Sequence, residues 1–250
     1  FGSNTSTFLH HVSTDTYIHN SNLQGKSFIM TANGLQTKNH VTEAGEKGMQ
    51  YAYSNFESIQ LDGVPDVILF QSSSYTVYTE KGANYTPEFE MNGTRLRVYI
   101  DPFEAGNAIG QLYIGLPILN HLVVNGGSNV SVQFKQNKRL AVELNGASKI
   151  EGQFDGEEFD LESNGMNQAK LRGDIRQLRA EINGAGTCDF SKLEAKKVQL
   201  EANGSTHVQV QASESLEIDA SGAAQVTYYG SPTNTRFEQS GGAKIIPASF

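Results

Sequence analysis

Six carboxylates recur along the second half of the chain at nearly one spacing: Glu143, Glu162, Glu181, Glu201, Asp219 and Glu238, in steps of 19, 19, 20, 18 and 19 residues. Such a series could do two kinds of chemistry. Several carboxylate oxygens gathered together bind Ca²⁺. Two carboxyl groups at a defined separation across a sugar ring hydrolyse a glycosidic bond. One carboxylate per repeat makes a row, whereas a catalytic pair converges from different positions, so the spacing favours binding over catalysis. Against both stands a plainer reading, a solvated face whose charges discourage lateral aggregation and which nearby Lys and Arg neutralise. A cation or ligand surface and a solvated face are both open at this point.

What must position the row is visible two residues further on. Asn125-Gly126, Asn145-Gly146, Asn164-Gly165, Asn183-Gly184, Asn203-Gly204, Ser221-Gly222 and Ser240-Gly241 follow one another in steps of 20, 19, 19, 20, 18 and 19 residues. A single Asn-Gly between alternating apolar stretches signals a β-hairpin. Seven at one period signal the corners of a coil. Three residues before each corner stand Leu122, Val142, Leu161, Ala180, Leu200, Ile218 and Phe237. Five residues after it stand Val130, Ile150, Ala169, Cys188, Val208, Val226 and Ile245. Both columns are apolar with polar neighbours, the period-2 pattern of strands that bury one face. The same period turns the carboxylate column outward.

Rungs of about 19 residues with no helical periodicity predict an all-β parallel β-helix, a single-stranded solenoid whose equivalent residues stack about 4.8 Å apart; right-handed coiling is expected. A leucine-rich repeat has a similar period, but its Asn lies two residues beyond the last strand leucine, whereas Asn145 follows Leu144 directly. The corner residues Asn125, Asn145, Asn164, Asn183, Asn203, Ser221 and Ser240 could bond one to the next as a ladder, or each could serve only its own turn.

The first half is less regular. "IQLDGVPDVILF" (59–70) and "FEMNGTRLRVYI" (89–100) repeat the strand, Asx-Gly, strand logic, as "MTANGLQT" (30–37) does more weakly, with longer excursions between strands. No linker-like run separates the halves. Residues 51–250 are therefore expected to form one β-helix domain, irregular over 51–120 and seven regular rungs over 121–250. Residues 1–50 are expected to form a cap or extension over its open end.

"FESIQLDGVPDVILFQSSSYTVYTE", "NGTRLRVYI", "LPILNHLVVNGGSNVSVQF" and the repeated Leu-Glu-x-Asn-Gly rungs together resemble the head GIN domain of autotransporter adhesins, a domain of unknown function common in exported proteins of Bacteroidetes. The resemblance covers residues 56–250. It implies a β-helical domain at the cell surface or in the periplasm with an adhesive role, and it brings no catalytic residues with it.

Other chemistry-bearing residues have plainer readings. Asp155, Glu157 and Glu158 form the densest acidic patch, at the end of a rung, where a solvated turn is expected. Arg172, Arg176 and Arg179 could clamp a substrate, although ion pairing with the Glu row is simpler. Cys188 falls in an inward column and His207 outward of it, so an inert buried thiol is expected rather than a thiol–imidazole pair. His10, His11 and His19 match no standard metal spacing. Tyr75, Tyr78 and Tyr85 are candidate platforms for a sugar or protein, with sheet packing as the alternative.

Composition narrows the classes. The 250 residues carry a net charge of -8, which argues against nucleic acid, whose phosphates would be repelled. No stretch approaches the length of a membrane-spanning helix. The single Cys cannot form an internal disulfide. The chain starts at Phe1 without Met, as expected after removal of a leader, which suits export. The function expected is a non-enzymatic, exported binding module, adhesin-like, that presents stacked faces to a glycan or protein and is a candidate for self-association. It needs no cofactor, with Ca²⁺ on the acidic row as the one candidate. The alternatives are a carbohydrate-active β-helix enzyme and a structural envelope protein.

Overall fold

In a computed structural model the chain is described over residues 10–13, 16–21, 26–31 and 47–249. Strands β1 (His10–Ser13), β2 (Thr16–Ser21) and β3 (Lys26–Thr31) pair antiparallel in that order. Most of the expected cap, most of "MTANGLQT" and the side chains of His10, His11 and His19 lie outside the described residues.

The remaining strands begin with β4 (Lys47–Tyr51), β5 (Ser58–Asp62), β6 (Asp66–Gln71), β7 (Thr76–Glu80), β8 (Glu88–Asn92) and β9 (Arg95–Tyr99). A single helical turn, α1 (Pro102–Ala105), precedes β10 (Leu112–Leu116) and β11 (His121–Gly126). The regular stack continues through β12 (Asn129–Gly146), β13 (Lys149–Gly165), β14 (Gln168–Gly184), β15 (Thr187–Gly204), β16 (His207–Ala220), β17 (Gln225–Tyr229), β18 (Asn234–Gln239) and β19 (Lys244–Pro247). Between 121 and 247 this is a parallel β-solenoid of about seven turns at the predicted spacing. Leu122, Val142, Leu161, Ala180, Leu200, Ile218 and Phe237 are successive ladder partners. So are Val130, Ile150, Ala169, Cys188, Val208, Val226 and Ile245.

Strands β12 to β15 run 17 or 18 residues because each crosses one face of the solenoid, bends, and continues on the other. The front face holds β11, the C-terminal halves of β12–β16 and β18. The back face holds the N-terminal halves, β17 and β19. Each rung turns sharply at its Asn-Gly corner and gently at the opposite bend. Register slips fall at the bend, between Phe134 and Asn137, Lys170 and Arg172, and Phe190 and Glu194. The bend thus absorbs the variation from 18 to 20 residues, while the corner stays in register because backbone packs on backbone there. At Gly165 φ is +119°, and a Cβ would lie 2.3 Å from the Gly146 carbonyl oxygen. Only glycine meets both conditions. Phe134, Phe154, Phe159 and Phe190 fill the interior and are fully buried.

Up to residue 120 the chain stacks out of sequence order. Strands β5 and β6 make one rung, lying against β11 and β12 on one side. Their other neighbours are β9 and β10, which come later in the chain. To get there the chain passes through antiparallel strands: β7 beside β10, β4 beside β7, and β8 in a hairpin with β9. These close the N-terminal end of the core, where the rings of Tyr51 and Tyr53 lie 4.5 and 4.9 Å from that of Phe89.

An acidic groove on the front face

The positions of the carboxylate row follow from a hydrogen-bonded ladder under the corners. Asn125 Nδ2 donates to Asp62 Oδ1 at 2.7 Å. Asn145 donates to Asn125 at 3.1 Å, Asn164 to Asn145 at 3.5 Å, Asn183 to Asn164 at 3.2 Å and Asn203 to Asn183 at 3.0 Å. Ser221 Oγ ends the series on Asn203 Oδ1 at 2.6 Å. All the bonds run in one direction, so their dipoles add, and the series terminates on a carboxylate. Burial alone would raise the pKa of Asp62. Hydrogen bonds from Asn125, Arg97 and Gln60, with the charge of Arg97, outweigh it and hold the group below the ordinary carboxylate value. Asn164 and Asn183 also donate to Glu162 and Glu181, both at 2.9 Å, which ties the acidic row to the ladder.

Glu143, Glu162, Glu181, Glu201 and Asp219 are ladder partners in turn, with Glu238 after Asp219. They border an open groove of about 680 Å³ along the front face. Its other wall is the column two residues earlier, where Asp160, Arg179, Gln199, Glu217 and Arg236 stand. The cations of the groove serve this second column first. Arg139 pairs with Asp160 at 2.8 Å, and Arg179 with Asp160 at 3.2 Å. Arg236 takes Glu217 at 2.9 Å, and beside the groove Arg176 takes Glu158 at 3.0 Å. In the acidic row itself only the ends are paired: Glu143 with His121 at 2.8 Å and Glu238 with Arg236. Among the described residues Glu162, Glu181, Glu201 and Asp219 have no cationic partner, so four carboxylates stack rung on rung with no cation against them. Among the described residues no three His, Cys, Asp or Glu side chains converge as metal ligands would.

Residues 55–232 match the family described as "Putative auto-transporter adhesin, head GIN domain". The chain belongs to that family. Solved structures share the fold of this GIN domain. A "putative adhesin" from Bacteroides fragilis superposes with a TM-score of 0.72 at 19% identity, over 80% of this chain and 95% of that one. A "putative lipid binding protein" from Parabacteroides distasonis gives 0.60 at 15% identity, and a "putative adhesin" from Parabacteroides merdae 0.59 at 14%, each again over 80% of this chain and 95% of the other. No curated protein matches the chain.

Elsewhere in the GIN domain the candidate residues fall as follows. Tyr78 and Tyr85 are buried, which pushes both hydroxyl pKa values up. Tyr78 stacks on Tyr113 with ring centroids 4.8 Å apart. Tyr75 packs on Phe56 at 4.9 Å. Tyr78 and Tyr85 present no open platform, and Tyr75 is half-buried. Asp155 accepts from Gln153 Nε2 and from the Asp174 amide, at 2.7 and 2.8 Å, and so holds the bend. Arg176 pairs with Glu158 and Arg179 with Glu158 and Asp160, two and one columns away from the Glu row with which sequence reasoning paired them. Cys188 is buried, its thiol pushed up to about 12, while His207 points outward.

Two buried side chains escaped the sequence reading. Asn137 holds the second bend: its Oδ1 accepts from the Leu119 amide, and its Nδ2 donates to the Leu119 and Arg139 carbonyls. Asn167 likewise bonds the Ser148 amide and the Leu144 carbonyl inside the corner. Neither occupies a repeated Asn position, so periodicity could not reveal them. The second column of the groove was detectable, since Asp160, Arg179, Glu217 and Arg236 keep the same period four residues before the corner.

Proposed function

We propose that this GIN domain is a non-enzymatic binding module of the cell surface, and that its front-face groove holds a linear, hydroxyl- or amine-bearing glycan. The observation that carries the reading is the uncompensated run Glu162, Glu181, Glu201 and Asp219. Like charges stacked on neighbouring strands each cost from a few tenths to about 1 kcal/mol. The interior and the Asn ladder already hold the rungs together, and although Glu162 and Glu181 bond to that ladder, a stack of negative charge is not what keeps the rungs in place. Carboxylates at a constant rise accept hydrogen bonds from an extended partner, and the rung-to-rung period matches repeating units better than a compact ligand. The family's adhesive description supports a surface location and a binding role. Asp160 and Glu217, which stand on the wall opposite the acidic row, are held in ion pairs with Arg179 and Arg236, which sets the enzymatic alternative lower.

Native electrophoresis through gels containing galactomannan, mucin or a glycosaminoglycan tests this. Retardation by the uncharged polymer, lost when the four carboxylates become amides, is the expected result. Free migration in every gel would overturn the glycan assignment, and clearing of the polymer around the band would overturn the non-enzymatic one.

A further inference from the structure

The two ends of the solenoid are built differently, and the difference identifies a partner for one of them. Among the described residues, β18 pairs only with β16 and β19 only with β17. The C-terminal rung of the described residues therefore presents two strand edges, side by side, that no described strand pairs. Phe237 and Ile245 continue the two apolar columns into this end, and Phe237 is 40% exposed, although its partner Ile218 is fully covered. Open strand edges over an open core invite another chain.

The charges flanking Phe237 specify which chain. A two-fold axis running from the front face to the back face would set β18 antiparallel to its own copy. Centred on Phe237, this places Arg236 opposite Glu238 of the second copy, and Glu238 opposite its Arg236. Thr235 falls opposite Gln239, and the Phe237 rings meet over the core. Because the axis crosses both faces, inward residues stay inward, and β19 meets its own copy in the same sense over Lys244–Ile246, short of Pro247. Opposite charges directly across an antiparallel pair stabilise it. Among the described residues the N-terminal end fails the same test. There β8 reads Glu88-Phe89-Glu90, so pairing about the inward Phe89 would set Glu88 against Glu90 of the copy, twice. The neighbouring edge strand β4 is irregular in register at Gly48, which blunts it.

We infer that the C-terminal rung is a self-association surface, and that two copies of this chain join tail to tail through β18 and β19 into one continuous solenoid. The end of one rung is small beside a standard stable interface, so the dimer is concentration-dependent. It would double the length of the front-face groove about its centre.

Sedimentation velocity of the 250-residue chain over a wide concentration range tests the inference. A monomer–dimer equilibrium is expected. Arg236→Glu and Glu238→Arg should each weaken it about tenfold or more by setting like charges opposite one another. The two single variants mixed, or the double exchange Arg236→Glu/Glu238→Arg, should restore it. These side chains are exposed, and circular dichroism serves as the check that each variant folds. A monomer at every concentration, growth beyond dimers, or a dimer indifferent to both reversals would overturn the tail-to-tail assignment.

Discussion

The Asx-Gly corners at Asp62-Gly63 and Asn164-Gly165 are the same device in two different settings. Both belong to one column, yet Gly165 is pressed against the Gly146 carbonyl, whereas a Cβ on Gly63 would meet nothing within 4 Å. In the regular stack each rung is templated by the one before it, so a corner is constrained twice, by its own turn and by its neighbour. In the first half the chain doubles back through antiparallel strands, and the Asp62-Gly63 corner, although it bonds to Asn125, has no backbone pressed against its glycine. Repetition therefore fixes register tightly, and mixed pairing trades that constraint for closure of the core.

The sharpest way to break the symmetry is Gly165→Ala against Gly63→Ala. The first meets both a positive φ and a backbone clash, and should cost on the order of 3 kcal/mol or more, enough to disrupt the rungs. The second meets the positive φ alone and should cost about 1 kcal/mol. Urea melts of the two variants decide it, and equal losses would refute the templating account.

Cutting the ladder comes next. Asn183→Ala removes a donor to Asn164 and an acceptor for Asn203. It should cost about 1–2 kcal/mol while leaving the irregular half intact by hydrogen exchange. At the other end of the ladder, Asp62 links the two regions and makes their junction sensitive to acid. Its folded pKa is depressed, so its stabilisation is present above the ordinary carboxylate pKa of about 4 and is lost as pH falls through the folded value. Asp62→Asn should thus be clearly less stable than the native chain at pH 7, with the gap narrowing towards pH 3. A gap that stays constant with pH would show that the charge of Asp62 does not matter. The smallest effect is expected from Arg179→Ala, whose exposed pairs with Glu158 and Asp160 should be worth under about 1 kcal/mol in the same melts.

The same contrast explains what could be read in advance. Wherever one rung templates the next, as at Leu122, Val142 and Leu161 or at the Asn-Gly corners, period alone gives fold, register and the outward acidic row. Where contacts join distant residues without repetition it gives little. Nothing local announces that Asp62 lies beneath Asn125, or that β5 sits between β9 and β11, because residues 72–94, with β7 and β8, carry the chain past its own next rung. Tyr78 could be read as a surface platform or as sheet packing, and only the pairing of β7 with β10 stacks it on Tyr113. In the groove, the row of carboxylates was legible. The assignment of arginines to the neighbouring column was not, since side-chain reach, rather than period, decides which acid a guanidinium meets.

If the stacked carboxylates serve binding, they do so at the expense of stability. Thermal unfolding of the variant Glu162→Gln/Glu181→Gln/Glu201→Gln/Asp219→Asn, beside the native chain at low ionic strength, tests it most directly. Removing the stacked repulsions should raise Tm by about 2–4 °C, with the rise shrinking as salt is added. A lower Tm would mean that the row holds the solenoid together, and the case for a binding groove would lose its foundation.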